Sequence, residues 1–237
     1  MGVNLLVIVA HMGDFVWRSS GVIGEYIKKG RKVGVVSLTY GEKGESGGAW
    51  KKWSSLEEVK NARKKEAECS SKALGVSLDV LDWGDYPLII NKERLAMLTE
   101  IIRANEPEIV LIHSPDYPLR HDHNITSSSV LTAIRLATSE GFITDLPSIP
   151  EPKVFGFDPH IGEQAKFYPH LYINITDVYD LKLKAMNCLE SQKGEIEYYS
   201  TRDSLRGLQT KRFGKRDYYK YAEAFYMYSP IIGEDFP

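Results

Sequence analysis

Ala10-His11-Met12-Gly13-Asp14 follows directly on the apolar run Leu5-Leu6-Val7-Ile8-Val9. A second apolar run, Ile109-Val110-Leu111-Ile112, precedes Arg120-His121-Asp122-His123. Neutral imidazole and carboxylate are ligand types that suit zinc. A His and an Asp three positions apart, joined by a ligand from the second cluster, would hold such an ion and leave a fourth position for water or substrate. Catalytic zinc sites keep that position open, whereas structural ones fill it. Both apolar runs read as buried strands, and open α/β sheets bind ligands beyond the C-terminal ends of their strands.

The elements that must position these residues alternate along the chain. Strand patterns cover residues 5–9, 33–38, 78–81, 109–112, 154–157 and 171–175. Helical patterns cover residues 18–29, 124–138 and 177–193. Ser55-Leu56-Glu57-Glu58 has the form of a capping box opening a further helix that Gly75 stops, and Asn91 caps another through 104. Strands alternating with helices predict an α/β fold: a Rossmann-like, doubly wound, mostly parallel sheet with helices on both faces. No G-x-G-x-x-G follows the first strand, so dinucleotide binding has no support. Without repeats or a low-complexity linker, residues 1–237 read as one domain. Residues 141–152, with three prolines, read as a surface loop. Residues 200–237 form a tail that packs on the domain or enters oligomer contacts.

The 237 residues are 43% hydrophobic and 26% charged, ordinary for a soluble globular protein. A net charge of −2 argues against a nucleic-acid partner. No run approaches the roughly 18 apolar residues of a membrane span. The N-terminus lacks the pattern of a signal peptide, so a cytoplasmic location is expected, with Cys69 and Cys188 as reduced thiols. Neither cysteine belongs to a C-x-x-C pair, which excludes a thiolate zinc site.

The loops after the strands are dense in reactive groups, and a doubly wound sheet opens them all at one edge. The first holds His11, Asp14 and Arg18; the second Tyr40, Glu42, Glu45 and Ser46; the third Trp83-Gly84-Asp85-Tyr86-Pro87. The fourth holds His113, Asp116 and residues 120–123, and the fifth Asp158, His160 and Glu163. Taken singly, each has a plain structural reading. His113 satisfies backbone groups, Glu42 and Glu45 are solvated turn residues, and Arg18 is a surface cation. Tyr198 and Tyr199 pack. Arg202, Arg206, Lys211 and Arg212 form a solvated face or a subunit contact.

The first and fourth loops resemble the two signatures of the PIG-L/LmbE family of zinc-dependent N-acetylglucosaminyl deacetylases, Ala-His-Pro-Asp-Asp-Glu and His-Pro-Asp-His. The resemblance implies zinc ligands at His11, Asp14 and His123, with Asp122 as the carboxylate that orients one of them. Two positions depart from it. The family's general base falls on Gly13, which cannot accept a proton, and its other catalytic His falls on Arg120, next to His121.

Longer stretches resemble one branch of that superfamily, the 4-oxalomesaconate hydratases of gallate breakdown. They are His11-Met12-Gly13-Asp14-Phe15-Val16-Trp17-Arg18, residues 37–46 with Tyr40-Gly41-Glu42-Lys43-Gly44-Glu45-Ser46, residues 84–88, residues 157–164 with Asp158-Pro159-His160, and Glu195-Ile196-Glu197-Tyr198-Tyr199. This resemblance implies proton transfer by Glu45 and His160, and a homo-oligomer, the hexamer being frequent in the superfamily. Water addition across a double bond conjugated to a carbonyl builds charge on the carbonyl oxygen, which zinc stabilises, while one group deprotonates water and another protonates carbon. A polycarboxylate substrate needs cations, for which Arg18 and Arg120 are the candidates, with Tyr40, Ser46 and His121 as further substrate contacts. The rival reading is a zinc-dependent amino-sugar deacetylase using Glu45 or His121 in place of the missing base; a non-enzymatic metal-site relic is a third.

Overall fold

The computed structural model describes residues 2–115, 121–214, 217–230 and 232–233. Its centre is β1 (Leu5–His11), buried along its whole length. Successive side chains point to opposite faces, as in any strand, and both faces here are covered. Val7 and Val9 enter one apolar cluster with Phe15, Val22, Ala67 and Ala185, while Leu6 and Ile8 enter another with Leu98, Ile102, Val130 and Ile134. The first cluster belongs to α1 (Asp14–Lys28), α3 (Leu56–Leu74) and α6 (Tyr179–Asn187), with the four-residue α2 (Gly47–Trp50) preceding α3. The second belongs to α4 (Lys92–Asn105) and α5 (His121–Ala137) on the opposite face.

Around β1 lie β2 (Val33–Thr39), β3 (Ser77–Val80), β4 (Ile109–His113), β5 (Lys153–Phe157), β6 (Leu171–Asn174) and β7 (Ala222–Met227). They form one seven-stranded sheet in the order β3-β2-β1-β4-β5-β7-β6. The pairings among β1 to β5 are parallel, and β7 runs antiparallel to both of its neighbours. The sheet is wound outward in both directions from β1 and β4, so the chain's topological switch point lies between those two strands, where a ligand crevice opens beyond their C-terminal ends.

The expected doubly wound α/β sheet is the observed one. The Ser55–Glu58 capping box is fully formed, Gly75 ends α3 in the left-handed conformation, and the Asn91 side chain accepts the backbone N–H of Arg94. Three expectations are corrected. The helix expected over 177–193 is broken: α6 stops at Asn187, and a separate short 3-10 turn, Glu190–Gln192, follows. The stretch read as a tail supplies α7 (Glu195–Gly214) and β7, which is inserted between β5 and β6. Cys69 and Cys188 are not free thiols. They form a disulfide, with Cα atoms 5.7 Å apart, that joins α3 to the turn after α6. No described helix is long and apolar enough to cross a membrane.

Candidate metal centre and active site

His11 ends β1, and Asp14 opens α1 after a two-residue turn. His123 lies in the first turn of α5, which carries it to the same edge of the sheet. All three are buried. His11 Nδ1 lies 3.2 Å from Asp14 Oδ2 and 3.2 Å from His123 Nε2, and Asp14 Oδ2 lies 3.5 Å from His123 Nε2. Ligands at zinc bond lengths on three corners of a tetrahedron are about 3.3 to 3.4 Å apart. The three donor atoms therefore already stand at the spacing of a zinc coordination shell. Glu45 and His113 extend the cluster: ligand atoms of His11, Glu45 and His123 lie within 4.8 Å of one another, as do those of Asp14, His113 and His123.

His113 is set apart by its hydrogen bond. The backbone N–H of Ala10 donates to its Nε2 at 3.0 Å, so the lone pair facing the cluster is taken. Burial, with His123 close by, pushes its pKa well below the ordinary value. His113 is thus a neutral imidazole serving the backbone, as the sequence suggested. Asp122 stands behind His11, its Oδ2 3.3 Å from His11 Nε2. The carboxylate also accepts the backbone N–H groups of Leu88 and Tyr86, at 2.9 and 3.0 Å. Burial alone would raise its pKa, but His11 and the two N–H groups outweigh it and hold the carboxyl at about 2. A carboxylate on the far nitrogen of a ligating imidazole fixes its tautomer and ring plane.

In the metal-free electrostatics burial disfavours charge on His11. The bonds to Asp122 and Asp14 and their negative charges prevail, raising its pKa to about 10. Asp14 is opposed by its own burial, yet His123, Arg18 and His113 hold its carboxyl well below the ordinary range. Burial lowers the pKa of His123, which keeps its imidazole neutral and able to ligate.

Beside these ligands lies a cavity lined by His11, Asp14, Arg18, Glu45, His160 and Tyr199, with Gly13, Trp17, Gln192 and Glu195. Glu45 reaches it on the loop after β2, where Gly41 takes φ +69°, a left-handed value suited to glycine. The Glu45 carboxylate faces Tyr86 Oη at 3.5 Å and Gln192 Nε2 at 3.4 Å. From the opposite wall His160, in the loop after β5, places Nδ1 3.2 Å from the Tyr199 hydroxyl and 3.9 Å from Glu195. Arg206 and Arg202 anchor that loop. Arg206 binds Asp158 at 2.7 Å, and Arg202 donates to the backbone carbonyl of His160 at 3.2 Å.

Arg18 is no surface cation. It is buried, its Nη2 lies 3.4 Å from Asp14 Oδ1, and its Nε has no partner among the described residues. Glu42 is likewise buried rather than solvated, and burial raises its pKa. Arg202 and Arg206 hold Asp158 and stack against aromatic rings rather than forming a solvated face.

Three expected substrate contacts stand elsewhere. The Ser46 hydroxyl donates to the Glu42 carbonyl and shapes the loop that carries Glu45. Tyr40 gives its carbonyl to Arg63, and the charges around its ring are Asp82, Lys60 and Glu68 rather than the ligand cluster. His121 is exposed and lines a separate depression with Asn124 and Tyr228. Arg120 lies outside the described residues. Sequence reasoning missed Trp17, Gln192, Glu195 and Tyr199 as cavity residues. The Asp-Phe-Val-Trp-Arg and Glu-Ile-Glu-Tyr-Tyr stretches held the signal for three of them. Gln192 lies on a turn that periodicity reads as helix.

A doubly wound α/β sheet whose switch point gathers two histidines and an aspartate at ligand spacing is the architecture of a metal-dependent enzyme of the PIG-L type. The chain belongs to that family: its match to PIG-L, GlcNAc-PI de-N-acetylase, extends over residues 6–134. It is 38% identical over 210 residues to 4-oxalmesaconate hydratase of Pseudomonas putida, covering 88% of this chain and 81% of that one. The crystal structure of GalB, the 4-carboxy-2-hydroxymuconate hydratase of the same organism, superposes with a TM-score of 0.94 at 35% identity over 100% of both chains. Diacetylchitobiose deacetylase of Thermococcus kodakarensis is 29% identical over 228 residues, 93% of this chain and 81% of the relative. The deacetylase family anticipated from the first and fourth loops and the hydratase branch anticipated from the longer stretches are thus both among its relatives.

Proposed function

We propose that the protein is a zinc-dependent hydro-lyase that adds water to an unsaturated, keto-bearing polycarboxylate. One observation carries the reading: Glu45 and His160, two groups able to transfer protons, line the cavity beside the ligand cluster, while glycine, Gly13, stands at the position of the deacetylase base. A Cβ on Gly13 would stand 2.7 Å from Gln192 Oε1, so a side chain there would require the Gln192 carboxamide to move. Similarity to a hydratase, in sequence and in structure, supports the same assignment.

The donor set of His11, Asp14 and His123 fits zinc in number, type and spacing. When bound there, zinc supplies Lewis-acid stabilisation of the negative charge that hydration builds on the substrate's carbonyl oxygen. Glu45, with its carboxylate within 4.8 Å of ligand atoms of His11 and His123, takes the proton from water. His160, across the cavity, delivers a proton to carbon, its ring held by Tyr199 Oη on Nδ1. Arg18 Nε, buried and unpartnered among the described residues, binds a substrate carboxylate. One zinc per chain, action within an aromatic-degradation route, a homo-oligomeric assembly and a cytoplasmic location belong to the same proposal.

The test is hydration of 4-oxalomesaconate by the zinc-loaded protein, followed by loss of absorbance of the conjugated acid. Glu45→Gln should abolish turnover while zinc stays bound; normal turnover by that variant rejects the assignment. Acetate release from N-acetylglucosamine derivatives, without hydration, would replace this reading with the deacetylase one.

A further inference from the structure

Four side chains of α7 meet His160, and they stand at the i, i+3, i+4, i+7 spacing of a single helix face: Glu195, Tyr198, Tyr199 and Arg202. Two of them hold its backbone. The Tyr198 hydroxyl and the Arg202 guanidinium both donate to the His160 carbonyl. The other two address the ring from one side. Tyr199 Oη lies 3.2 Å and Glu195 Oε2 3.9 Å from Nδ1, while the Tyr198 ring lies against the imidazole with centroids 4.8 Å apart. Both Glu195 and His160 line the reaction cavity. Tyr198, Tyr199 and Arg202 suffice to fix the loop and the ring plane, so the carboxylate adds something that they do not, a negative charge beside the imidazole.

Resting on the hydratase reading, in which His160 delivers a proton to carbon, we propose that Glu195 is a positioning residue that keeps the His160 imidazole in its charged form. With Nδ1 engaged by Tyr199 and Glu195, a neutral ring keeps its one proton there and presents a bare Nε2. Only the imidazolium carries a proton on both nitrogens. An ordinary imidazole, with a pKa of about 6.5, is mostly neutral at pH 7 to 8. Two opposite unit charges 3.9 Å apart favour the protonated ring about sixfold even through water, which is somewhat under one pH unit. The other charges around the ring are largely matched. Arg202 and Arg206, from α7, lie 3.6 and 2.6 Å from Asp158 in the His160 loop itself. Arg18, from α1, lies 3.4 Å from Asp14. Glu45 and His11 face the ring from the far side of the cavity, and Glu163, further along the loop, is exposed. Glu195 also lies in the first turn of α7 with Glu197, where any acid favours the helix, so the test must separate the two roles.

The experiment follows the His160 Cε1–H resonance of the zinc-loaded protein by NMR from about pH 5 to 9, the range in which imidazole titrates. The signal is assigned by its loss in His160→Gln. Glu195→Gln should move the titration midpoint down by about half to one pH unit. Glu195→Asp, which keeps the charge, should retain most of the wild-type value. Glu197→Gln, which removes an acid from the same turn of the helix, should leave the midpoint in place. The alkaline limb of kcat/KM for hydration should move with the midpoint in Glu195→Gln. An unmoved midpoint in folded Glu195→Gln, an equal displacement in Glu197→Gln, or an unmoved alkaline limb in an active enzyme overturns the proposal. A midpoint that moves as expected, in a protein that hydrates no unsaturated keto acid, upholds the Glu195–His160 pair and refutes the reaction.

Discussion

Asp122→Asn isolates what the carboxylate behind His11 contributes. Asp122 accepts three donors: His11 Nε2 and Tyr86 N on Oδ2, at 3.3 and 3.0 Å, and Leu88 N on Oδ1, at 2.9 Å. Asparagine is nearly isosteric but has one acceptor oxygen. Placed at Oδ2, that oxygen keeps two donors and sets its own NH2 group against Leu88 N–H. Placed at Oδ1, it sets the NH2 group against both His11 and Tyr86. The first arrangement loses least and leaves one backbone N–H unsatisfied, costing about 1–3 kcal/mol of stability. It also replaces a charged acceptor with a neutral one behind a metal-binding imidazole, a change that typically weakens metal affinity about 10- to 100-fold. Competition with a chromophoric zinc chelator measures the affinity, and thermal melting with and without zinc measures the stability. Zinc affinity within about threefold of wild type, in a folded variant, would refute the claim that Asp122 tunes the metal site through His11.

Four further outcomes are expected. Glu45→Gln should retain zinc by metal analysis and lose at least about a hundredfold in hydration, the scale of a lost general base. Tyr199→Phe removes the hydroxyl 3.2 Å from His160 Nδ1 and should lower kcat about tenfold and shift the pH–rate profile, with near-unchanged melting. His11 in the metal-free protein holds its proton up to about pH 10, so zinc must displace it. Apparent zinc affinity should therefore rise about tenfold per pH unit from pH 7 to 9, with proton release measurable by calorimetry in two buffers. Asp203 is pushed up to about 7 by burial, with Glu223 sharing the Lys182 ammonium. A raised folded-state pKa contributes stability below the ordinary carboxyl value that is lost as pH rises to about 7. Between pH 5 and 8 wild type should lose about 1 kcal/mol or more relative to Asp203→Asn in urea unfolding.

The fold was legible where local chemistry and hydrophobic period agree. β1, β2 and β4 are buried on both faces and read as continuous apolar runs, and the Ser55 and Asn91 caps each rest on one side chain and one backbone N–H. His11 and Asp14 were legible because they follow a strand directly. What stayed hidden depends on contacts distant in sequence. α7 is amphipathic only in relation to β7 and the His160 loop, and β7 pairs with strands that precede it by dozens of residues. Lys182, Asp203 and Glu223 look like surface charges until the fold buries them together. The disulfide could not be read from two isolated cysteines, since nothing local places α3 against the turn after α6. Composition likewise marks Arg18 and Glu42 as solvent-facing, and only the fold takes them inside.

The insertion of β7 between β5 and β6 has a bearing on biosynthesis. The proposed metal ligands all precede residue 124, and the strands that position them, β1 and β4, pair directly with each other. The His160 loop instead hangs from Asp158, whose backbone N–H waits for the Ala224 carbonyl, and β6 reaches the sheet only through β7. A polypeptide emerging from the ribosome thus completes the proposed ligand set well before it possesses the opposite wall of the cavity, which waits for β7.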